Sequence, residues 1–447
     1  MEGTAYVTRE AVLARAREAI GVPLRQIDRP GRLDSGKGAV GTVIEEGWYG
    51  YRPNSESEPD FPEAGVELKV TPYVRGRNGI RAKERLVCNI INYMEEYQKT
   101  FDTSAFWHKC GTMLLMSYEH RYDVPKGDFT IDEAVLFQFP EEDLAIIRRD
   151  WETVMDKVRR GEAHLLSEGD TLYLAACTKG ASAQSVRPQP FSAVPAKQRA
   201  WSLKSSYMTR ILNTYIFGDG QSERVIRDPA VLREQSFEDY VLGKVSPYFG
   251  LSQAQLQAQF GLESRAKNLN ELLLGRMLGI RGRIAHTEEF RKASIVPKTI
   301  RVRRDGTIRE SMSFPTFDFI ALSREESWEE SALHECLAPT RFLFVIFREN
   351  EQGEWVFERV KFWNMPEADL EEVRRVWQRT VDTLRRGVSL RDTGHGVAND
   401  LPKQSESPVA HVRPHGRNAA DKLPLPDGRM MTKQCFWLNN TYIERQL

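Results

Sequence analysis

The stretch FPEEDLAIIRRDWETVMDKVRRG at residues 139–161 returns as MPEADLEEVRRVWQRTVDTLRRG at 365–387. Pro140, Asp143, Leu144, Arg148, Arg149, Trp151, Asp156, Arg159, Arg160 and Gly161 recur at a constant offset of 226. Repetition on this scale means that one supersecondary plan was used twice. Each copy opens on Pro-Glu, carries acids in its first turn and closes on Arg-Arg-Gly, which predicts a helix. Other segments align near the same offset: 198–208 with 433–443, 173–184 with 410–421, and 66–86 with 295–314 at an offset of 229. The last pair reads in both copies as strand, glycine-containing turn, strand. The chain is therefore expected to be α/β, with two tandem domains, each a mixed sheet flanked by helices. Their bounds are expected near 1–220 and 235–447. The polar stretch 217–236 would be the join, and 389–411 a flexible loop inside the second copy.

The charges balance, 63 basic against 63 acidic in 447 residues, which argues against a generic nucleic-acid coat but not against a local basic groove. Locally basic runs lie at 75–85, including Arg75, Arg77, Arg81, Lys83 and Arg85, and at 291–309. No window reads as a membrane span, and the N-terminus reads as a charged amphipathic helix. Cysteines 88, 110, 177, 336 and 435 form no C-x-x-C pair, so a reducing, cytoplasmic setting is expected.

Within EPDFPEAGVELKVTPY, Asp60, Glu67 and Lys69 form the candidate chemical cluster. Residues 67 and 69 share one face of a strand, and Asp60 lies on the approach, where a turn can bring it alongside. Two carboxylates at a strand mouth suit Mg²⁺, and a neighbouring lysine can orient a water for phosphodiester hydrolysis. The same residue types are also ordinary surface charge. At offset 229 the second copy has Glu289, Val296 and Lys298, so its central carboxylate is gone. A folding residue tends to persist in both copies, whereas a catalytic one can be lost from a copy that no longer cuts.

This stretch resembles the active-site segment of the MutH/Sau-three-A-I family of GATC-specific endonucleases, a branch of the PD-(D/E)xK nucleases. KERLVCNIINY, SEGDTLYLAACTKGAS, AKQRAWSLKSSYMT, ASIVPKTI, ESMSF, HVRPH, NAADKLP and MTKQCFWLNNTYI extend the resemblance over nearly the whole chain, most closely to the two-copy restriction members. It implies that Asp60 and Glu67 are metal ligands and Lys69 the water-positioning lysine, with Lys109 as a second active-site lysine. It also implies a glutamate in GTVIEEGWYG. Counting from Gly41 selects Glu45, and counting back from Gly50 selects Glu46. For DNA reading it implies Lys179 and Ser202 in the first copy, and Arg413 and His415 in the second. The expected function is a Mg²⁺-dependent type II restriction endonuclease acting on duplex DNA at GATC. A DNA-induced homodimer is possible, no membrane is involved, and the second copy binds a further site and regulates. A mismatch-repair nickase and a non-enzymatic GATC-binding regulator are the alternatives.

Three motifs are set aside. GRLDSGKG has Gly38 where a phosphate-binding loop needs Ser or Thr. His411 and His415 are four apart, but Pro414 argues against a helical metal pair. CFWLNNTY is expected to be a packed helix face.

Overall fold

The computed structural model describes all residues except 1–5, 30, 35, 37, 52–57, 77–78, 181–184, 219–221, 265, 267 and 395–396. Ser35 and Lys37 of the glycine-rich stretch, and Arg77 and Asn78 of the first predicted turn, thus lie outside the described residues. The chain forms two compact units. One comprises 1–237 with 285–295, and the other 238–284 with 296–447.

In the first unit the strands are β1 (Glu67–Gly76), β2 (Gly79–Ala82), β3 (Leu86–Ile90), β4 (Thr112–Glu119), β5 (Glu133–Gln138), β6 (Leu174–Thr178), β7 (Val186–Gln189), β8 (Ser192–Lys197) and β9 (Arg199–Leu203). A four-stranded mixed sheet runs β2-β1-β4-β5, with β1 parallel to β4 and the other pairs antiparallel. Met113, Leu114, Leu115 and Met116 of β4 are all fully buried, the near-continuous apolar run expected of a strand covered on both faces. A second, antiparallel sheet runs β3-β9-β6, and β7 pairs β8 as a hairpin. The repeated motif is the helix Glu141–Arg159, with Pro140 at its N-cap, Glu141, Glu142 and Asp143 in its first turn, and Gly161 in the left-handed region.

The second unit contains β10 (Ile295–Val302), β11 (Met312–Thr316), β12 (Arg341–Glu349), β13 (Trp355–Trp363), β14 (Leu390–Asp392), β15 (Val397–Asn399), β16 (Ala410–Pro414), β17 (Lys422–Pro424), β18 (Met430–Thr432) and β19 (Gln434–Leu438). Its sheets are β10-β12-β13 and β11-β19-β16, beside the hairpins β14–β15 and β17–β18. The second repeat motif is the helix Glu367–Arg386, again with proline at the N-cap and glycine, Gly387, after it. Each helix ties, through an aspartate and a tyrosine, to the helix that follows the central strand of the antiparallel sheet, Ser205–Ile211 after β9 and Asn440–Gln446 after β19. Tyr207 Oη donates to Asp143 at 3.0 Å, and Tyr442 Oη to Asp369 at 2.7 Å.

Three local expectations change. The strand–turn–strand reading of 295–314 reduces to a single bridge, Val302–Ile308, because β11 pairs with β19 instead. The loop at 389–411 includes the hairpin β14–β15. CFWLNNTY is a strand followed by the helix Asn440–Gln446, so Phe436 faces the core and Trp437 faces away.

The compact units do not divide where the repeat divides. The short helix Glu288–Lys292 belongs to the first unit, held there by buried charge. Lys292 Nζ lies 2.7 and 2.9 Å from the two oxygens of Asp143 and 3.3 Å from Glu288, which Arg210 meets at 2.7 Å. Glu289 accepts the backbone N–H groups of Val225 and Ile226 at 2.9 and 3.0 Å. Burial pushes the Asp143 carboxyl up, and the ammonium of Lys292 opposes it. Lys292→Ala strands that carboxylate and is expected to destabilise by about 3–5 kcal/mol in urea unfolding. A loss under about 1 kcal/mol would mean the network is not intact in solution.

Candidate active site

A tight turn assembles the site before β1. Phe61 and Val66 bridge, with Phe61 N–H donating to Val66 O at 2.9 Å and Gly65 at φ 60°. Only a residue tolerant of positive φ closes this turn without strain. It sets Asp60 against the start of the strand: Leu68 N–H donates to Asp60 Oδ2 at 3.0 Å, and Asp60 N–H to Glu67 Oε2 at 3.2 Å. Glu67 is 2 % exposed. Lys69, two residues along the same face, donates its Nζ to Glu67 Oε1 at 2.7 Å and to Cys88 O at 3.4 Å. Lys109, from the helix Ala105–Cys110 capped by Ser104, reaches Glu67 Oε2 at 3.8 Å and donates to Glu58 O at 3.1 Å. Asp60, Glu67, Lys69 and Lys109 are thus brought together. The pairing of His108 Nε2 with Glu58 Oε2 at 2.8 Å, at the edge of the cluster, had no signal in the sequence.

Glu45 and Glu46 part company. Glu46 is held by Arg32 through Nε at 2.9 Å and Nη2 at 3.2 Å. Glu45 lies within the field of Asp60, Lys69, Glu67 and Lys109, and burial, then the Asp60 charge, raises its carboxyl to about 7. The segment that carries both, Val43–Tyr49, is a π-helix, in which Gly50 N–H reaches back to Glu45 O. A π turn holds one residue more than an α turn. The additional residue that leaves the count from Gly41 and the count from Gly50 in disagreement is absorbed there. The turn packs so closely on the helix Leu24–Ile27 that a Cβ on Gly47 would stand 2.1 Å from Ile27 O.

Burial also raises the Glu67 carboxyl, with Lys69 opposing and Asp60 adding to the rise. Burial alone would lower the Lys69 ammonium, but Glu67, together with Cys110 and Cys88, outweighs this and holds it above its ordinary range. Three carboxylates against two ammonium groups leave the pocket short of positive charge. That donor set fits a hard divalent cation held by Asp60 and Glu67, with water completing its shell. Among the described residues no three His, Cys, Asp or Glu side chains converge as a ready-made metal cage.

The corresponding place in the second unit has the opposite character. Val296 and Cys336 pack against its apolar core. Cys336 is fifth in the Ser331-capped helix Ala332–Leu337, as Lys109 is fifth in Ala105–Cys110. Lys298 has no carboxylate to reverse the effect of burial, which lowers its ammonium. Glu289, which aligns with Asp60, is occupied by the main chain of residues 225 and 226 in the first unit.

The residues expected to read DNA lie elsewhere in each unit. Lys179 is exposed just beyond β6. Ser202 is 1 % exposed in β9, and its hydroxyl donates to Ala175 O at 3.4 Å, so it offers nothing to a groove as it stands. Arg413 and His415 are exposed at the end of β16.

The family described as DNA mismatch repair enzyme MutH matches residues 49–150, the span holding Asp60, Glu67, Lys69 and Lys109. The type II restriction enzyme Sau3AI of Staphylococcus aureus is 40 % identical over 484 aligned positions, covering 99 % of each chain. The DNA mismatch repair protein MutH of Shewanella woodyi is 30 % identical over 187 residues, 40 % of this chain and 78 % of its own. That of an Escherichia coli strain is 27 % identical over 217 residues, 46 % of this chain and 92 % of its own. With the cluster on β1, these matches define a site-specific deoxyribonuclease. The chain belongs to the family of Sau3AI and MutH, and shares the full length of the restriction enzyme. Among the described residues no helix is long and apolar enough to cross a membrane.

Two outcomes test the geometry. Gly47→Ala displaces the π turn and is expected to lower the cleavage rate about a hundredfold, whereas Gly41→Ala, which meets open space, leaves it unchanged. Glu45 has a folded pKa above its unfolded one, so its stability contribution is full below the unfolded value and lost as pH rises through about 7. Metal-free protein should therefore lose melting temperature from about pH 5 to 8 relative to Glu45→Gln. Parallel profiles would remove Glu45 from the pocket.

Proposed function

We propose that this restriction endonuclease hydrolyses duplex DNA at GATC with Mg²⁺, that the first unit cuts, and that the second binds a further GATC site and regulates the first. The observation that carries the reading is the contrast between the Asp60–Glu67–Lys69 cluster and the Val296–Lys298–Cys336 remnant. The full-length likeness to a type II restriction enzyme favours this over a nickase, whose MutH relatives match only part of the chain.

In the proposed reaction Asp60 and Glu67 would hold the cation, which when bound would supply polarisation of the phosphoryl oxygen and acidification of a water. Lys69, kept protonated by Glu67, donates a hydrogen bond that orients the attacking water and offsets charge growing on the phosphoryl group. Glu45, in the field of Asp60 and Glu67, accepts the proton that the water gives up. The new O–P bond forms as the P–O3′ bond breaks, the 3′ oxygen takes a proton from solvent, and the phosphate stays on the 5′ end. Cleavage on the 5′ side of the guanine leaves a four-base overhang. One such site per chain cuts one strand at a time, so a double-strand break needs either two chains on one site or two successive nicks.

Lys69→Ala should lose at least about a hundredfold in cleavage while retaining GATC binding. Purified protein with Mg²⁺ and no partner should linearise an unmethylated plasmid, and sequencing the ends reads the target. A product that stays nicked favours the mismatch-repair alternative. Binding without cutting by both wild type and Lys69→Ala leaves only the regulator. Plasmids with two GATC sites should be cut faster than those with one, and equal rates would remove the regulatory role.

A further inference from the structure

The strand that carries Glu67 and Lys69 in the first unit leads into a basic turn, and so does its counterpart β10 in the second. At the offset of 229, Arg304 falls on Arg75. The second unit has valine in place of Glu67, yet its run RVRRDGTIR at 301–309 holds four arginines against one aspartate. The turn is firmly built. Val302 and Ile308 bridge and are both buried. Arg303 N–H donates to Thr307 O at 2.9 Å, and Gly306, at φ 85°, donates its N–H to Arg303 O at 2.9 Å. Asn440 Nδ2 donates to Ile308 O at 2.8 Å and Ile308 N–H to Glu444 Oε2 at 3.2 Å, which ties the turn to the helix Asn440–Gln446.

With Val302 and Ile308 turned inward, Arg301, Arg303, Arg304 and Arg309 are all exposed. The acid within the run is spent locally: Asp305 Oδ1 accepts from Thr307 N–H at 2.9 Å and from Thr307 Oγ1 at 2.6 Å. Glu310 follows Arg309 and is exposed as well. The guanidinium carbon of Arg301 lies 5.6 Å from the centroid of the Trp355 ring. Elsewhere in the unit arginines are answered, Arg348 by Glu358 at 2.9 Å and Arg374 by Glu371 at 2.6 Å. Among the described residues Arg303, Arg304 and Arg309 form no salt bridge. β10 is an edge strand, and a single charge of either sign would guard such an edge. Several like charges on one turn repel, and an anion among them relieves that cost.

We propose that this turn is a phosphate-binding site that grips duplex DNA outside the four-base recognition sequence. The inference rests on the reading that the second unit binds duplex DNA. Strand rise carries the chain about 20 Å from Val296, the counterpart of Glu67, to Val302 at the foot of the turn. Four base pairs span about 14 Å, so a target centred near Val296 ends about 7 Å from its centre. The phosphates at the turn therefore belong to flanking sequence. Guanidinium forks match phosphate oxygens in pairs. Phosphates recur whatever the base, so the turn adds affinity without selectivity. In the first unit the counterpart Arg75 is drawn to Glu119, its Nε 3.4 Å from Oε2, and the charge there is partly answered.

The test uses the full chain with Lys69→Ala, titrated with two GATC duplexes. One of about 10 base pairs ends roughly 17 Å from its centre, and one of about 24 ends roughly 40 Å away. Stoichiometry, the slope of log affinity against log salt, and melting temperature are read together. The parent should take up two duplexes per chain. Arg303→Gln, Arg304→Gln and Arg309→Gln together should weaken the second uptake of the long duplex about tenfold and flatten its slope by roughly 2–3. The short duplex and the melting temperature should be unaffected. Lysine at the same three positions should keep most of the slope, because an ammonium still neutralises a phosphate. A parent that takes up a single duplex of either length ends the DNA-binding reading of the second unit, and the site with it. Two duplexes per chain with an unchanged slope in the glutamine variant leave that reading standing and overturn the site. Equal losses on both duplexes overturn it too, since the contact then lies within the recognition sequence. A lysine variant as weak as the glutamine one overturns it by showing that charge is not what acts.

Discussion

Burying Lys69 and Glu67 side by side is costly unless each charge answers the other. Their contact at 2.7 Å on a single strand is the condition on which the rest of the first unit's site depends. Asp60 is drawn in by backbone bonds at the strand start, Lys109 balances the far oxygen of Glu67, and Glu45 is aimed into the field by a π turn. What remains is an excess of negative charge in a half-buried pocket, visible as the raised Glu45 and Glu67 carboxyls. A divalent cation is the species that relieves such an excess and also activates water.

The second unit kept the scaffold and released the charge. Trp151 and Trp377 are both buried in the repeated helices, Ser104 and Ser331 both cap the short helix beside the site, and the aspartate–tyrosine tie is present twice. These contacts hold helix to helix or start a helix, so losing one weakens the fold whatever the unit does. The carboxylates do no such work. In the second unit Val296 and Cys336 pack against the apolar core at the corresponding places, and Lys298 has no carboxylate partner to keep its charge favourable.

The helices of the repeat were legible because proline, acids and a terminal glycine punctuate them locally. Asp60, Glu67 and Lys69 were legible because period-two alternation and one turn suffice to bring them together. Ser202 was not: its position resembles a DNA contact, but the neighbouring strand closes over it. Nor was the role of Glu289, which aligns with Asp60 yet satisfies main-chain groups more than sixty residues away in the sequence. Alignment preserves position along the chain and carries no record of which surface a short helix will meet.

Residue order alone was enough for the duplication, the α/β character, the strand that carries Glu67 and Lys69, and the absence of a matching acid at Val296, since each rests on spacing within a few residues. The separation of Glu45 from Glu46 needed the folded chain, because a π turn closing on Ile27 through Gly47 leaves one acid in the field of Asp60 and the other with Arg32. So did the transfer of Glu288–Lys292 to the first unit, where a buried lysine is stable only opposite Asp143. Both turn on contacts between segments far apart in the chain, and the free energy of such contacts is set by three-dimensional burial, which linear spacing does not encode.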